Sequence, residues 1–359
     1  MIISHPDFIV SIHCMTYNHA SYIEDTMNGF CMQETSFPFI AIICDDASTD
    51  GEQKVIEHYI QEHFYTTPET DYQEWETEEA NFVYAHHKEN HNCFFLVIFL
   101  KENYYSQNKN KSHLWEEYEK STKYIALCEG DDYWTDPHKL QKQIDFLESH
   151  SDYSMVCNRA KKYSEMQGHF ISDMACGEQD NTLSPKRIIT KGGLFISTCS
   201  IVYKKEVKNK YPEYCIKCHV GDYPLQIMCA MKGRCYYLNK AMCVYRVDNP
   251  QAWTKTFYKQ PISKRIDGII SEVSMLKGFS NDYSRYHTVF RSRMAYYIIH
   301  QFSPQNFDDT RNQILASTFA NEIKNFSIFW KIYFRMYLYQ NKYIRYIYFK
   351  LITPYISRF

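Results

Sequence analysis

Two pairs of consecutive aspartates follow apolar segments of the sequence: Asp45 with Asp46, and Asp131 with Asp132. Two carboxylates a few Å apart raise each other's pKa, so such a pair is costly unless a cation binds beside it. Carboxylate oxygens are ligands that suit Mg²⁺ or Mn²⁺, and either ion can hold a diphosphate. The two pairs therefore predict a site for a divalent metal and a nucleotide.

Helix capping is the alternative explanation for these acids. The first pair begins the run Asp-Asp-Ala-Ser-Thr-Asp-Gly at 45–51, and Ser, Thr and Asp are good N-cap residues. Capping explains this run about as well as a ligand site does. The second pair stands in Glu-Gly-Asp-Asp-Tyr-Trp at 129–134, and a cap requires neither consecutive acids nor the bordering aromatic residues. The second pair is therefore the stronger indication of a site.

Strand-like and helix-like segments alternate through the first half of the chain. The strand-like segments are 8–14, 37–44, 94–100 and 123–128, and the helical ones are 23–32 and 53–64. This alternation predicts an α/β fold, with helices on both faces of a mainly parallel sheet. Ligands of such sheets bind at the carboxyl ends of the strands, where the aspartate pairs fall. Segment 65–92 is acidic and then His-rich, which predicts a loop or a small insertion.

Composition excludes several classes of protein. Of the 359 residues, 45% are hydrophobic and 23% are charged, which is typical of a globular protein and excludes wholesale disorder. The 40 basic and 42 acidic side chains give a net charge of -2, whereas a nucleic-acid-binding protein is usually basic. No secretory signal or spanning segment is visible, and thirteen irregularly spaced cysteines predict reduced thiols in the cytoplasm.

Three blocks of the sequence resemble family 2 glycosyltransferases and occur in the order that this family has them. The blocks are Thr16-Tyr17-Asn18 with the acidic run 45–51, then 124–143, then 221–246. The resemblance covers about residues 8–250. It implies the GT-A type fold of nucleotide-diphospho-sugar transferases, here with a helical C-terminal extension.

The resemblance assigns six residues to the nucleotide sugar and one to a metal. Tyr17 would flank the base, Asp46 would hydrogen-bond a ring nitrogen of the base, and Asp45 would support Asp46. Asp131 would lie near the ribose, and Asp132 would contact the metal on the diphosphate. The six nucleotide-sugar residues are Thr16, Tyr17, Asn18, Asp45, Asp46 and Asp131.

The resemblance also implies a catalytic residue and an acceptor side. Asp222 would be the general base that takes a proton from the acceptor hydroxyl, because a sugar hydroxyl is a poor nucleophile. Family members of this kind invert the anomeric carbon by direct displacement. Tyr133 and Trp134 would lie on the acceptor side. Many relatives have a metal-binding His after the position of Arg246. This chain has Val247-Asp248-Asn249 there, and the oxygens of Asp248 could serve as ligands instead.

The C-terminal segment has a charge pattern unlike the rest of the chain. No acidic residue follows Glu322, and a helix here would have one basic face and one apolar face. The basic face contains Lys324, Lys331, Arg335, Lys342 and Arg345, and the apolar face contains Phe326, Phe329, Tyr333, Tyr337, Ile344 and Ile347. Such a helix suits an anionic membrane surface, although helices that pack back on the protein have the same pattern.

These observations predict a metal-dependent, inverting glycosyltransferase that uses Mn²⁺ or Mg²⁺. Residues 1–250 would form the catalytic domain, with a nucleotide-binding half before about residue 135 and an acceptor half after it, and 251–359 a helical region. The donor would be a nucleotide diphosphate sugar, with a UDP-sugar as the first choice. The acceptor would be a glycan or lipid-linked glycan of surface polysaccharide synthesis, used in the cytoplasm at the inner face of the cell membrane.

Two other classes of protein fit some of the same residues. A sugar nucleotidyltransferase would share the fold and the acidic pairs, but its Gly-rich phosphate loop has no counterpart in 13–19, which contains no glycine. A non-catalytic module that binds nucleotide sugars would need neither Asp132 nor Asp222. Hydrolysis of UDP-sugars in the presence of Mn²⁺ would distinguish an enzyme from such a module.

Overall fold

The computed structural model describes residues 5–67, 71–249, 257, 259–302 and 310–338. The chain divides into two compact units. Unit 1 consists of Met1–Leu183, Phe195–Asn209 and Cys229–Trp253, and unit 2 consists of Ser184–Leu194, Lys210–Met228 and Thr254–Phe359. Unit 2 therefore includes two segments from the middle of the chain. The domain boundary near residue 250 stays a prediction.

Unit 1 is built on one mixed sheet, which has twelve strands in the described residues. They are β1 (Val10–Thr16), β2 (Phe39–Asp45), β3 (Gln73–Glu76), β4 (Ala80–His86), β5 (Cys93–Leu100), β6 (Tyr124–Leu127), β7 (Tyr133–Trp134), β8 (Tyr153–Ser164), β9 (His169–Met174), β10 (Asn181–Leu183), β11 (Val202–Lys204) and β12 (Arg234–Val247). Their order across the sheet is β10-β12-β8-β11-β6-β1-β2-β5-β4-β3, with β7 paired to β12 and β9 paired to β8.

The centre of the sheet is parallel, as the alternation of strands and helices predicts. β1 lies between β2 and β6 and is parallel to both, and β2 is parallel to β5. Thr16 pairs with Asp45, which pairs with Phe99, so these three strands end together. The predicted α/β fold with a mainly parallel central sheet is confirmed. The common end of the strands is the edge at which a ligand site is expected.

Both faces of the central strands are buried. Successive side chains of a strand point to opposite faces of the sheet, and each face packs into its own apolar core. Three helices pack on one face, namely α1 (Ile23–Cys31), α2 (Glu52–His63) and α3 (Lys139–Ser149). Ala41 and Ile43 of β2 face these helices, whereas Ile42 packs on the other side with Tyr84 and Leu96. Full burial of a side chain such as Ile contributes roughly 1.5–3 kcal/mol to stability.

Segment 65–92 contains two strands where the sequence predicts a loop or a small insertion. β3 and β4 form an antiparallel hairpin, and β4 pairs with β5. Buried and exposed residues alternate along β4, as the exposed Asn81 and the buried Phe82 show. The segment as a whole is rich in acidic residues and histidines, so its sequence resembles that of a loop. The loop prediction is wrong for this hairpin.

Unit 2 is helical. Its described helices are α4 (Pro185–Lys191), α5 (Glu213–Ile216), the first part of α6 (Asp222–Lys232), α7 (Ile262–Asp282), α8 (His287–Ile299), α9 (Thr310–Thr318), α10 (Ala320–Lys324) and α11 (Ile328–Leu338). α7, α8 and α11 share an apolar core that includes Ile269, Ile298 and Trp330. The predicted helical C-terminal region is confirmed for the part of the chain that the structure describes.

Over its described part, the apolar face predicted for the C-terminal segment packs largely inside unit 2. Phe326 and Tyr333 are at most 8% exposed and belong to the core of this unit. The exposed large apolar side chains of α11 are Ile328, Phe329 and Ile332. Four residues of the predicted faces, Lys342, Ile344, Arg345 and Ile347, lie outside the described residues. None of the helices in the described ranges has the length and apolar composition that a membrane-spanning helix requires.

The thirteen cysteines are free thiols. All of them are buried except Cys31 and Cys218, which are partly exposed. Several lie in the central strands, including Cys14 in β1, Cys44 in β2 and Cys93 in β5. Burial raises the pKa of the Cys44 thiol to about 12, so this thiol is protonated and unreactive in the folded protein.

Candidate functional site

The turns that follow β1 and β2 are joined by hydrogen bonds. The Asn18 backbone N–H donates to the Ser48 hydroxyl at 2.8 Å, and the Thr49 N–H donates to the Asn18 side-chain oxygen at 2.8 Å. Asn18 and Ala47 both have positive φ angles, of 57° and 60°, which places them in the left-handed region. The two segments that the sequence assigns to the nucleotide sugar therefore form one structure.

Glu52, the first residue of α2, binds both turns. Its buried carboxylate accepts the His19 N–H at 2.9 Å, the Ser48 hydroxyl at 2.8 Å and the Thr16 hydroxyl. Burial raises its pKa, and these hydrogen bonds oppose the rise. Sequence reasoning missed Glu52, because the Thr49-x-x-Glu52 spacing is typical of a capping box and predicts only a local contact.

Asp45 and Asp46 are adjacent but have different partners. Asp45 is buried and accepts the Gln53 side-chain amide at 2.6 Å, and burial raises its pKa. Asp46 accepts the backbone N–H of Tyr104 at 2.7 Å and that of Tyr105 at 3.0 Å. Asp46 thus holds the segment that follows β5 against the end of β2. Its hydrogen bond to a base stays a prediction.

Two aromatic side chains are exposed in the segments that Asn18 and Asp46 hold. Tyr17 is 43% exposed in the turn after β1, and Tyr105 is 56% exposed in the segment after β5. Stacking on a nucleotide base requires an accessible ring face, and Tyr17 meets this requirement. Its role beside the base stays a prediction.

Gly130 allows the turn after β6 to approach β1 closely. Its N–H donates to the Met15 carbonyl at 3.1 Å, and a Cβ atom at this position would clash with the Thr16 side chain. The Thr26 hydroxyl of α1 bonds the carbonyl oxygens of Gly130 and Asp132, at 3.0 and 2.7 Å. These contacts bring the second aspartate pair to the same edge of unit 1 as Thr16.

Asp132 is almost fully buried, at 1% exposure. Its Oδ1 accepts the Arg246 backbone N–H at 2.8 Å, whereas Oδ2 has no hydrogen-bond partner among the described residues. A weak donor, the Cys199 thiol, lies beside the carboxylate. Burial raises the pKa of Asp132 well above its usual value, and the charge of Asp131 adds to this rise. A cation bound to Oδ2 would remove this penalty.

Asp131 is more accessible than Asp132. Its Oδ2 lies 3.8 Å from Nε2 of His19 and 3.5 Å from the side-chain amide of Asn249. Neither His19 nor Asn249 was predicted as a site residue. The His lies three residues after Thr16 and directly after Asn18, but no pattern in the sequence indicates that Asn249 approaches Asp131.

Arg246 connects the acidic turn to the surrounding elements. Its guanidinium donates to the Asp131 carbonyl at 2.9 Å and forms ion pairs with Asp25 and Glu165. The same group lies 4.4 Å from the centre of the Tyr133 ring, within the range of a cation–π interaction. Arg246 therefore fixes the backbone that carries both aspartates.

The two residues predicted on the acceptor side differ in exposure. Tyr133 is partly exposed, whereas Trp134 is 1% exposed. Trp134 donates its indole N–H to the Cys199 carbonyl at 2.9 Å and packs edge-on against Phe30 at 5.0 Å. All of these Trp134 contacts are with the core of unit 1. The acceptor-side role of Tyr133 and Trp134 stays a prediction.

Asp248, the predicted further metal ligand, accepts the Ser164 hydroxyl at 2.7 Å and has a φ of 66°. The described residues contain no cluster of three or more His, Cys, Asp or Glu side chains arranged to hold a metal ion. The role of Asp248 stays a prediction.

Asp222 belongs to unit 2, whereas the other predicted site residues belong to unit 1. It is the first residue of α6, and its Oδ1 accepts the Tyr223 N–H at 2.8 Å. Burial raises the pKa of this carboxyl. A Cβ atom placed on Gly193 would lie 3.3 Å from Oδ2 of Asp222, so the glycine backbone lies against this oxygen.

Two solved structures of S. aureus TarS share this fold. The crystal structure of residues 1–349 of S. aureus TarS in complex with UDP matches with a TM-score of 0.56 and 16% identity, over 88% of this chain and 80% of that one. A longer S. aureus TarS structure matches with a TM-score of 0.54 and 16% identity, over 97% of this chain and 54% of that one. At these identities the similarity establishes the fold.

Curated relatives occur in mycobacteria. Uncharacterised proteins of Mycobacterium tuberculosis and Mycobacterium bovis are 28% identical to this chain over 248 residues, which is 69% of its length. The matched region spans 61% of the length of these relatives. No protein-family model matches the chain.

Proposed function

We propose that this chain is a metal-dependent glycosyltransferase that transfers a sugar from a UDP-sugar to a glycan acceptor, with inversion at the anomeric carbon. The observation that carries the proposal is the buried Asp132 carboxylate beside the end of the parallel strands, since one of its oxygens has no hydrogen-bond partner among the described residues. A buried charge without a partner is unfavourable unless a cation binds it. The UDP bound to S. aureus TarS, a protein of the same fold, supports the choice of donor.

The donor would bind at the edge of unit 1 where β1, β2 and β6 end. Thr16 and Asn18 shape the turn after β1, and the exposed Tyr17 ring offers a face for the base. Asp131 is accessible to a ribose hydroxyl, which a carboxylate binds as a hydrogen-bond acceptor. Asp45 and Asp46 would help to position the nucleotide base, since Asp46 holds the segment that follows β5.

Asp132 would hold Mn²⁺ or Mg²⁺, with Asp131 beside it and Asp248 as a further ligand. Carboxylate oxygens suit both ions, and Oδ2 of Asp132 is available as a ligand atom because no residue in the described ranges forms a hydrogen bond with it. When bound, the ion would neutralise the negative charge that develops on the diphosphate leaving group.

Asp222 would act as the general base. Its carboxylate takes the proton of the acceptor hydroxyl while the acceptor oxygen forms a bond to C1 of the sugar. The bond from C1 to the diphosphate oxygen breaks, and its electron pair leaves with the UDP. Attack on the face opposite the leaving group inverts C1, so no covalent bond to the protein forms. The raised pKa of Asp222 makes this carboxylate a stronger base.

The proposed acceptor is a glycan or lipid-linked glycan of surface polysaccharide synthesis, met at the inner face of the cell membrane. The exposed side chains of α11 support contact with an anionic membrane, since Ile328, Phe329 and Ile332 are exposed together with Lys331 and Arg335. Each basic residue near such a surface contributes about 1 kcal/mol to binding.

Vesicle sedimentation tests the membrane contact. The full chain should sediment with anionic vesicles at low salt and should not sediment with neutral ones. A variant with Ile328→Ser, Phe329→Ser and Ile332→Ser should sediment less, because it loses the exposed apolar surface but keeps the core residues. Equal sedimentation of this variant and the parent would contradict the contact.

Donor binding tests the main proposal. The parent should bind UDP in the presence of Mn²⁺, as measured by calorimetry, and chelation of the metal should abolish this binding. Asp132→Asn should lose the Mn²⁺-dependent binding and remain folded. The control Asp145→Asn, at an exposed position of α3, should bind as the parent does. If Asp132→Asn binds UDP and Mn²⁺ as tightly as the parent, the assignment of the metal is wrong.

Product analysis distinguishes the alternatives. A glycosyltransferase releases UDP from a UDP-sugar in the presence of Mn²⁺ and acceptor. A non-catalytic module would bind the donor without releasing UDP. A nucleotidyltransferase would instead make a UDP-sugar from UTP and a sugar phosphate.

A further inference from the structure

His19 lies between the turn after β1 and the turn after β6 and contacts both. Its Nδ1 is 3.1 Å from the Thr16 hydroxyl, and its Nε2 is 3.8 Å from Oδ2 of Asp131. The side chains of His19 and Asp131 are 12% and 16% exposed, so a ligand at this edge of unit 1 can reach both. No step of the proposed transfer yet involves His19.

Contacts within unit 1 fix the position of the His19 ring. Its backbone N–H donates to the Glu52 carboxylate at 2.9 Å, and its ring packs edge-on against Tyr22 at 6.4 Å. A Cβ atom on Gly130 would lie 3.0 Å from Nδ1, so the glycine allows the acidic turn to pass directly beside the ring. The ring is therefore held with Nε2 directed toward Asp131.

The hydrogen bonds of Thr16 determine which nitrogen of the His19 ring carries the proton. A hydroxyl group donates one hydrogen bond, and the Thr16 hydroxyl donates to the Glu52 carboxylate. The Thr16 oxygen therefore accepts at His19, and the single proton of the neutral imidazole lies on Nδ1. Nε2 is left with a lone pair and acts as a hydrogen-bond acceptor.

Nε2 of His19 and Oδ2 of Asp131 are thus two neighbouring acceptors. At 3.8 Å these two atoms do not bond each other, because neither supplies a hydrogen and the distance exceeds that of a hydrogen bond. The complement of two adjacent acceptors is a pair of adjacent donors. Two hydroxyl groups on neighbouring carbon atoms have this arrangement, and the ribose of a nucleotide carries such a pair at its 2′ and 3′ positions.

We propose that His19 and Asp131 together bind the two ribose hydroxyls of the donor, which makes the protein selective for ribonucleotide sugars over deoxyribonucleotide sugars. The proposal rests on the function proposed above. One hydroxyl donates to Nε2 of His19, and the other donates to the Asp131 carboxylate. Removal of either hydroxyl leaves one of these acceptors without its partner, and an unsatisfied acceptor in a binding site weakens binding.

Calorimetry with UDP and two deoxy analogues tests this selectivity. In the presence of Mn²⁺ the parent should bind 2′-deoxy-UDP and 3′-deoxy-UDP each at least about threefold more weakly than UDP, because each analogue lacks one hydrogen bond. His19→Asn keeps an amide that can donate to Thr16 but is too short to replace Nε2. This variant should bind UDP about threefold to tenfold more weakly and should no longer discriminate against one of the two analogues.

Two further variants serve as controls. His19→Gln places its side-chain oxygen near the position of Nε2, so it should restore part of the discrimination that His19→Asn loses. His58→Asn replaces a histidine at an exposed position of α2 and should bind all three nucleotides as the parent does.

Nitrogen NMR of the histidine side chains covers the case in which the His19 variants do not fold. In the parent, Nδ1 of His19 should be protonated, and the resonance of its unprotonated Nε2 should shift when UDP binds. The proposal is wrong if Nε2 carries a proton, if the parent binds UDP and both analogues equally, or if a folded His19→Asn discriminates as the parent does. These results leave the binding of UDP intact, whereas a parent that does not bind UDP would overturn the proposed function as well.

Discussion

Asp132 in unit 1 and Asp222 in unit 2 are both carboxyl groups whose pKa is raised by burial, but their surroundings differ. Asp132 has a second carboxylate, Asp131, beside it and an oxygen without a hydrogen-bond partner in the described part of the chain. Asp222 begins a helix of unit 2 and accepts the backbone N–H of Tyr223, whose ring lies 5.7 Å from the Arg293 guanidinium. In the proposed function the first carboxyl would bind a cation, whereas the second would gain and lose a proton.

The comparison predicts that the same substitution, Asp to Asn, lowers kcat in one unit and donor affinity in the other. Asp222→Asn should keep donor affinity and lose at least about 100-fold in kcat, the low end of what a positioned general base contributes. Asp132→Asn should lose donor affinity in the presence of Mn²⁺, because the ligand oxygen is replaced. Binding is measured by UDP titration and turnover by release of UDP. If both variants lose only affinity, Asp222 is not the base.

Substitution of two glycines, one near Asp132 and one next to Asp222, extends the comparison of these two carboxyl groups. Gly130→Ala should destabilise the protein by about 1–3 kcal/mol and weaken donor binding, because its Cβ atom would clash with Thr16. Gly221→Ala, next to Asp222, should change neither property, since nothing lies within 4 Å of its Cβ position. Denaturant unfolding and UDP titration measure the two effects. Equal effects of the two substitutions would show that the close approach at Gly130 is not required.

The stability of unit 1 should depend on pH through Asp132. A carboxyl group whose pKa is raised in the folded state stabilises the protein when protonated, and this contribution is lost as the pH rises above about 4, the unfolded value. Without metal, Asp132→Asn should therefore melt at a higher temperature than the parent at pH 7, by a few degrees. The difference should shrink toward pH 4. Thermal melts across this range check the effect, and a lower melting temperature for the variant at pH 7 would show that Asp132 is satisfied within the protein.

The sequence predicts those parts of unit 1 that depend on local pattern. Strongly apolar segments identify β1, β2, β5 and β6, since such strands are buried on both faces, and aspartate pairs mark the ends of two of them. The sequence does not reveal Glu52 or Asn249 as neighbours of the site, because the contacts of Glu52 with Thr16 and of Asn249 with Asp131 join positions more than 30 residues apart.

Some residues that match the family blocks stabilise the scaffold in this structure. Gln143 donates its side-chain amide to the Ser200 carbonyl at 2.9 Å and accepts the buried Lys139 ammonium at 2.8 Å. These contacts join α3 to the segment before β11. A motif match alone cannot separate such residues from those that touch a ligand, because both kinds are specified by the same block of sequence.

The prediction for the C-terminal segment shows that the sequence does not reveal what an apolar helix face contacts. An amphipathic helix has the same pattern whether its apolar face meets a membrane or other helices. The core of unit 2, which includes Phe326 and Tyr333, is formed by helices distant in sequence, so only the structure shows that these side chains pack inward.

The thirteen cysteines are distributed over both units, so the reactivity of their thiols can report local unfolding in each unit. Unit 2 holds only Cys215 and Cys218, and all the other cysteines lie in unit 1. A thiol reagent reacts with a buried cysteine only when the surrounding structure opens. Timed alkylation followed by mass spectrometry would therefore record the opening of each unit separately in the natural sequence. Donor binding should slow labelling at Cys14 and Cys44, whose strands lead to the proposed site, more than it slows labelling at Cys215.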